Sequence, residues 1–178
     1  YDRNDIVAEM GGGAVGANYL RSLSIDELFG ILRQDGVYFS IYDGLGSTLV
    51  LTNQAGVPTL QYSYEPFGKT QSSNPAFANP FQFTGRENDS TALYYYRARY
   101  YHSGLQRFIE PDPLLCGSLN LPIYSIRKNP QTLNAFAYVN NSPQNFSDPL
   151  GLSPDCAYYG DRCFQVKNTI SLNYYCGA

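Results

Sequence analysis

Phe83–Asp112 reads FTGRENDSTALYYYRARYYHSGLQRFIEPD. It carries Tyr94, Tyr95, Tyr96, Tyr100 and Tyr101 in two short runs, with Arg97 and Arg99 between them. Consecutive tyrosines suit an extended strand, where successive side chains point to opposite faces. They do not suit a surface helix, which needs a polar face. A turn rich in polar residues precedes the first run (Asn88–Thr91), and Ser103-Gly104 follows the second. The stretch therefore predicts short strands separated by tight turns, and it organises the chain on either side of it.

The composition agrees. Of 178 residues, 15% are aromatic and 15% charged, with 16 Gly, 11 Pro and no Trp. Aromatics fit pleated surfaces, while Gly and Pro punctuate short strands. Abundant aromatics exclude a disordered chain. A net charge of −3 argues against a surface that tracks nucleic-acid phosphates. No apolar run is long enough to span a membrane as a helix. The chain opens on Tyr1-Asp2 without methionine or signal peptide, and reads as an excerpt of a longer polypeptide. Cys116, Cys156, Cys163 and Cys176 lack a zinc-type C-x2-C spacing, and His102 is the sole histidine, so neither metal nor cofactor is expected. Disulfides in an oxidising compartment and free thiols both remain open for these four.

Upstream, Tyr1-Asp2, Tyr42-Asp43 and Tyr64-Glu65 repeat a theme, each leading towards a glycine turn. Ser47–Asn53 reads as a strand, Gln54–Gly56 as a turn and Val57–Tyr64 as the returning strand. Turns spaced roughly 20 residues apart predict an array of β-hairpins, each burying a face on its neighbour. Ser24 followed by Glu27 fits a capping box, so residues 24–29 admit a helical turn inside this strand-rich setting. Gly11–Gly13 reads as a turn, because no Gly-Lys-Ser/Thr follows to make a phosphate loop. Residues 70–80 and 114–132 read as irregular, and after Leu152 the composition shifts to Cys and Tyr.

Four blocks in order carry a resemblance. They are Tyr42-Asp-Gly-Leu-Gly-Ser47; Tyr64-Glu-Pro-Phe-Gly68; Phe83-Thr-Gly-Arg-Glu87 with Leu93–Tyr101, Arg107-Phe-Ile109 and Asp112-Pro113; and Tyr138-Val-Asn-Asn-Ser-Pro143 closing on Asp148-Pro-Leu-Gly-Leu152. Together they resemble the Rhs, or YD-repeat, core of large secreted or cell-surface shell proteins. The resemblance covers residues 1–152 and leaves 153–178 as a variable tail. It implies an all-β ribbon of hairpins wrapped into a shell, ending in an inward-curling core plug. It also implies a bacterial extracellular setting, secreted or at the cell surface. The partners would be the rest of the protein's own shell and its C-terminal segment. Secretion machinery, cell-surface molecules or further copies in an oligomer or filament are additional candidates.

In toxin-associated members of that family the core is an intramolecular aspartyl protease. The resemblance maps its two aspartates onto Asp112 and Asp148, its arginine onto Arg99, and its cut onto Leu152–Ser153. Two neighbouring carboxylates share one proton, so one serves as base towards water while the other polarises the scissile carbonyl. Arg99 would hold one of them ionised by a bidentate contact. The alternative role is a non-catalytic structural or adhesive shell; a tail as short as 153–178 favours it, and the intact Asp112, Asp148 and Leu152 favour the protease. Without the resemblance, Asp112-Pro and Asp148-Pro are ordinary turn openers. Arg86, Arg97 and Arg107 are expected to pair with Glu87, Asp89 and Glu110 or to stack on tyrosines. His102 is expected at the surface. A carbohydrate-binding stripe is the other reading of the tyrosine run.

Overall fold

The computed structural model describes residues 5–23, 25–113, 131 and 134–152. The chain divides into two compact units, Tyr1–Ser90 and Thr91–Ala178.

The first unit is an antiparallel meander of seven strands in sequence order: β1 (Ala8–Gly11), β2 (Ala14–Arg21), β3 (Leu28–Arg33), β4 (Gly36–Tyr42), β5 (Thr48–Asn53), β6 (Pro58–Tyr64) and β7 (Thr70–Ser72). The predicted hairpin over 47–64 is the β5–β6 pair, with Leu51 opposite Leu60.

Three successive connections use one piece of turn chemistry. Asp43, Asn53 and Glu65 each stand three residues before a glycine, and each glycine N–H donates to that residue's carbonyl: Gly46 at 3.1 Å, Gly56 at 2.9 Å, Gly68 at 2.8 Å. All three glycines have positive φ, the left-handed residue that closes such a hairpin turn into a bulge. The Oδ1 atoms of Asp43 and Asn53 each accept two further backbone N–H groups, from Leu45 and Ser47 and from Ala55 and Val57. Short acceptors on positions 43 and 53 thus satisfy the turn's own donors.

Period-two alternation buries one face. Tyr19, Ile31 and Tyr38 are cross-strand neighbours on β2, β3 and β4, and join Leu28, Leu51, Leu60 and Tyr62 in the core. The segment after β7 supplies Phe81, whose ring meets Tyr19 edge-on at 4.8 Å. Thr48 anchors that segment through its N–H to Gln82 (3.1 Å) and its hydroxyl to Phe81 (2.8 Å). A short strand, β8 (Glu87–Asn88), ends the unit.

The helical turn admitted over 24–29 does not form. Asp26 sits at φ 65°, Leu28 and Phe29 already belong to β3, and Ser24 lies outside the described residues. The ladder from β3 to both neighbours outweighs one local capping pair. Asp26 instead pairs with the buried guanidinium of Arg86, which also binds Glu87.

The second unit contains β9 (Leu93–Tyr95), β10 (Tyr100–His102) and β11 (Arg107–Phe108), antiparallel in that order. Tyr94, Tyr96, Tyr101, Phe108 and Tyr138 form its fully buried aromatic centre. Edge-to-face contacts dominate: Tyr96 lies 5.8 Å from Phe108 and 5.5 Å from Tyr138. The two hydroxyls of Tyr96 and Tyr138 satisfy one another at 3.0 Å, which burial requires. These rings are core, so the tyrosine run is no carbohydrate stripe; Tyr95 and Tyr100 alone remain towards solvent, 5.3 Å apart. Val139, Asn140 and Asn141 follow as one left-handed turn with φ of 41°, 53° and 58°. Asparagine tolerates that region; a β-branched valine rarely does.

Candidate functional site

Arg99 lies just before β10. The chain reaches it through a very tight turn, in which the Ala98 N–H donates to the Tyr96 carbonyl at 2.7 Å and Arg97 has φ 62°. A γ-turn with positive φ is a rare, strained device. It brings the backbone around so that Arg99 points into the unit, where its guanidinium stacks 3.6 Å above the ring of Phe108. Asp112 follows β11 and is tied by its N–H to the Ala135 carbonyl at 2.8 Å. Asp148 opens the turn that closes with Gly151 N–H on its carbonyl at 3.2 Å.

The three predicted residues converge. Nη2 of Arg99 lies 3.2 Å from Oδ2 of Asp112 and 3.2 Å from Oδ2 of Asp148. The two carboxylate oxygens are therefore separated by at most twice that distance. Nη1 donates to the Ala135 carbonyl at 3.0 Å, and Nε to the Gly151 carbonyl at 2.6 Å. The expected bidentate contact with one aspartate is replaced by a bridge to both, because the other two nitrogens of the fork serve backbone carbonyls. Burial pushes the Arg99 pKa down from its ordinary value, and Asp112 and Asp148 oppose that shift. When all three groups are ionised, the buried trio carries one net negative charge, so it is one proton from neutrality.

Leu152 is beside this trio: its N–H donates to Oδ1 of Asp148 at 3.1 Å. Ser153 lies outside the described residues, as do Cys116, Cys156, Cys163 and Cys176. Among the described residues no cluster of three or more His, Cys, Asp or Glu is placed to hold a metal ion. Nor is any helix among them long and apolar enough to cross a membrane.

The remaining arginines have separate duties. Arg86 joins Asp26 and Glu87, and Arg107 is exposed. Arg97 donates to the Pro149 carbonyl. Glu110 accepts the Tyr100 N–H at 2.9 Å. His102 is half-buried and caps its own turn, Nδ1 accepting from Gly104 and Leu105 N–H at 3.1 and 3.2 Å. Sequence reasoning missed Phe108 as the platform for Arg99 and Ala135 as the carbonyl shared by Arg99 and Asp112. Phe108 follows Arg107 in a quoted block, which is a weak signal; a backbone carbonyl leaves none.

A family model for the teneurin YD-shell matches residues 19–144. Toxin subunit YenC1 of Yersinia entomophaga is 30% identical over 147 residues, 80% of this chain and 14% of its own length. Salivary gland surface protein 1 of Aedes aegypti is 32% identical over 128 residues, 70% of this chain and 3% of its own length. The fold matches the Photorhabdus luminescens Tc holotoxin pore with a TM-score of 0.61 at 22% identity, over 83% of this chain and 7% of that one. It also matches the TcdB2-TccC3 crystal structure with a TM-score of 0.58 at 21% identity, over 80% and 7%. The chain thus spans a small fraction of each relative, and the structural likeness at these identities concerns the fold. With its ordered β-hairpin array and its aromatic-centred second unit, this chain belongs to the teneurin YD-shell family.

Proposed function

We propose that the chain is the closing part of an extracellular YD-shell and that it cuts itself once, after Leu152. In this reading residues 1–152 are the shell core and 153–178 begin the variable segment that is released. The remainder of its own shell is the principal partner. One observation carries the reading: a single Arg99 nitrogen bridges two buried aspartates, and one of them, Asp148, also holds the backbone of Leu152.

The roles follow from burial. The Asp112 side chain is 12% exposed and that of Asp148 is 0% exposed. Water reaches Asp112, which acts as the base. One proton taken up by the trio makes it neutral and leaves one acid beside one base. Asp148, tied to Leu152, is the acid that polarises the scissile carbonyl. Water adds to the Leu152 carbonyl carbon, the Leu152–Ser153 C–N bond breaks, and the Ser153 nitrogen leaves with a proton. The products are a Leu152 carboxylate and a Ser153 amine. Asp148 and the cut lie on one short turn, so attack is intramolecular and a small site suffices. The relatives give further support: YenC1 is a toxin subunit, and one TcdB2-TccC3 crystal structure was determined without a hypervariable C-terminal region.

The second reading is a shell of the same fold that does not cut. It is favoured by the saturation of Arg99, whose three nitrogens all have acceptors, as a purely structural ion triad would. The Aedes relative is a surface protein.

Intact mass under denaturing conditions, with N-terminal sequencing of any small fragment, separates the two. The protease reading expects a fragment beginning at Ser153, lost in Asp112→Asn and in Asp148→Asn while the fold persists. Processing that continues in either variant, or an uncut wild-type chain, overturns it in favour of the structural shell.

A further inference from the structure

Residues 149–151 are held in register by residues 97–99. Arg97 Nη1 donates to the Pro149 carbonyl, Ala98 N–H to Leu150 at 3.3 Å, and Arg99 Nε to Gly151 at 2.6 Å. Every carbonyl of the three residues before Leu152 is thus engaged by a consecutive donor.

Gly151 is buried in this ladder at φ +66°. A Cβ there would lie 2.3 Å from the Tyr96 carbonyl oxygen, 3.2 Å from Tyr96 Cβ and 3.3 Å from the Arg99 nitrogen. The oxygen has nowhere to retreat. It accepts the Ala98 N–H inside the γ-turn, Tyr96 N–H is bonded to the Arg99 carbonyl at 2.9 Å, and the Tyr96 ring is locked in the aromatic centre. Conformation and space independently demand glycine.

We propose that Gly151 determines the specificity of the cut: the clamp of residues 96–99 accepts as substrate only a chain with glycine immediately before Leu152. This rests on the protease reading above. A side chain at 151 lifts the segment off the clamp and breaks the bond from Arg99 Nε. Arg99 is also the group that bridges both aspartates, so the displacement is felt at the carboxylates. A shift of about an ångström at a reacting centre lowers rate by roughly 100-fold.

The test follows the fraction cut after Leu152 over time by intact mass, in the full chain, for wild type, Gly151→Ala and Gly151→Asn. Asn adopts positive φ more readily than Ala but fills the same space. Near-UV circular dichroism against the Asp112→Asn chain reports whether the tyrosine centre is intact. The expected result is a loss of about 100-fold or more in both Gly151 variants, with the dichroism unchanged. An undiminished cut in Gly151→Ala overturns the inference and leaves the protease reading standing. A cut restored by Asn overturns it too, because strain alone would then explain the glycine. Loss of the dichroism signal overturns it in favour of a folding role. An uncut wild type removes the protease reading and this inference together.

Discussion

Arg99→Lys retains the charge at the centre of the second unit and removes the fork. Three nitrogens of Arg99 occupy four acceptors: the carbonyls of Gly151 and Ala135 and one oxygen each of Asp112 and Asp148. A single ammonium cannot stand in three places, and it will stay with the carboxylates, where attraction is strongest. Two carbonyls then lose a donor, the buried one of Gly151 and the part-buried one of Ala135. Ala135 keeps the Asp112 N–H at 2.8 Å, so its loss is small, whereas Gly151 loses the 2.6 Å bond. An unsatisfied buried carbonyl costs about 1–3 kcal/mol, and a bond removed from a satisfied one about 1 kcal/mol. The expected destabilisation is about 3 kcal/mol, roughly a hundredfold in the folded-to-unfolded ratio. Arg99→Met should lose more, about 3–5 kcal/mol, because it also removes the cation that the two buried carboxylates share. Urea unfolding followed by near-UV circular dichroism reads both variants through the tyrosine cluster, at constant m-value. A loss below about 1 kcal/mol in Arg99→Lys would refute the reasoning: the fork would then be dispensable and only the charge would matter.

Two further outcomes concern the first unit. Leu51→Ala removes a fully buried side chain that faces an equally buried Leu60 across β5 and β6; urea unfolding should show a loss of about 2–5 kcal/mol, and a loss under 1 would mean the sheet face repacks. Burial pushes Tyr42 up to about 12 from 10.0 while its hydroxyl donates to the Leu28 carbonyl. The folded chain therefore keeps a proton that the unfolded chain has lost, so this stability is complete below pH 10 and disappears as pH rises towards 12. Tyr42→Phe should flatten that part of the alkaline decline in thermal midpoint; parallel curves for the two chains would contradict it.

How far the fold was legible depends on the range of the interaction. The hairpin over 47–64 was readable because Asn53 and Gly56 act within five residues of each other. The 24–29 segment was not, since its outcome depends on pairing with both β2 and β4 rather than on Ser24 and Glu27. At the site, Arg99, Asp112 and Asp148 became visible through the resemblance; taken alone they are an arginine among tyrosines and two Asp-Pro turns. That one Nη2 bridges both carboxylates follows from the positions of the Ala135 and Gly151 carbonyls, which capture the rest of the fork. Backbone acceptors brought together over more than thirty residues leave no trace in residue types. Gly151 lies between the two: its need for positive φ is guessable from a turn, its collision with Tyr96 is not.

The strict sequence order of the seven-stranded sheet has a mechanical consequence. Among the described residues of the first unit, each of strands β2 to β6 is bonded to the strands immediately before and after it in the chain. Tension along the chain across this sheet therefore loads one strand's hydrogen bonds at a time, as when a zip is opened. Such a sheet is expected to give way strand by strand rather than all at once.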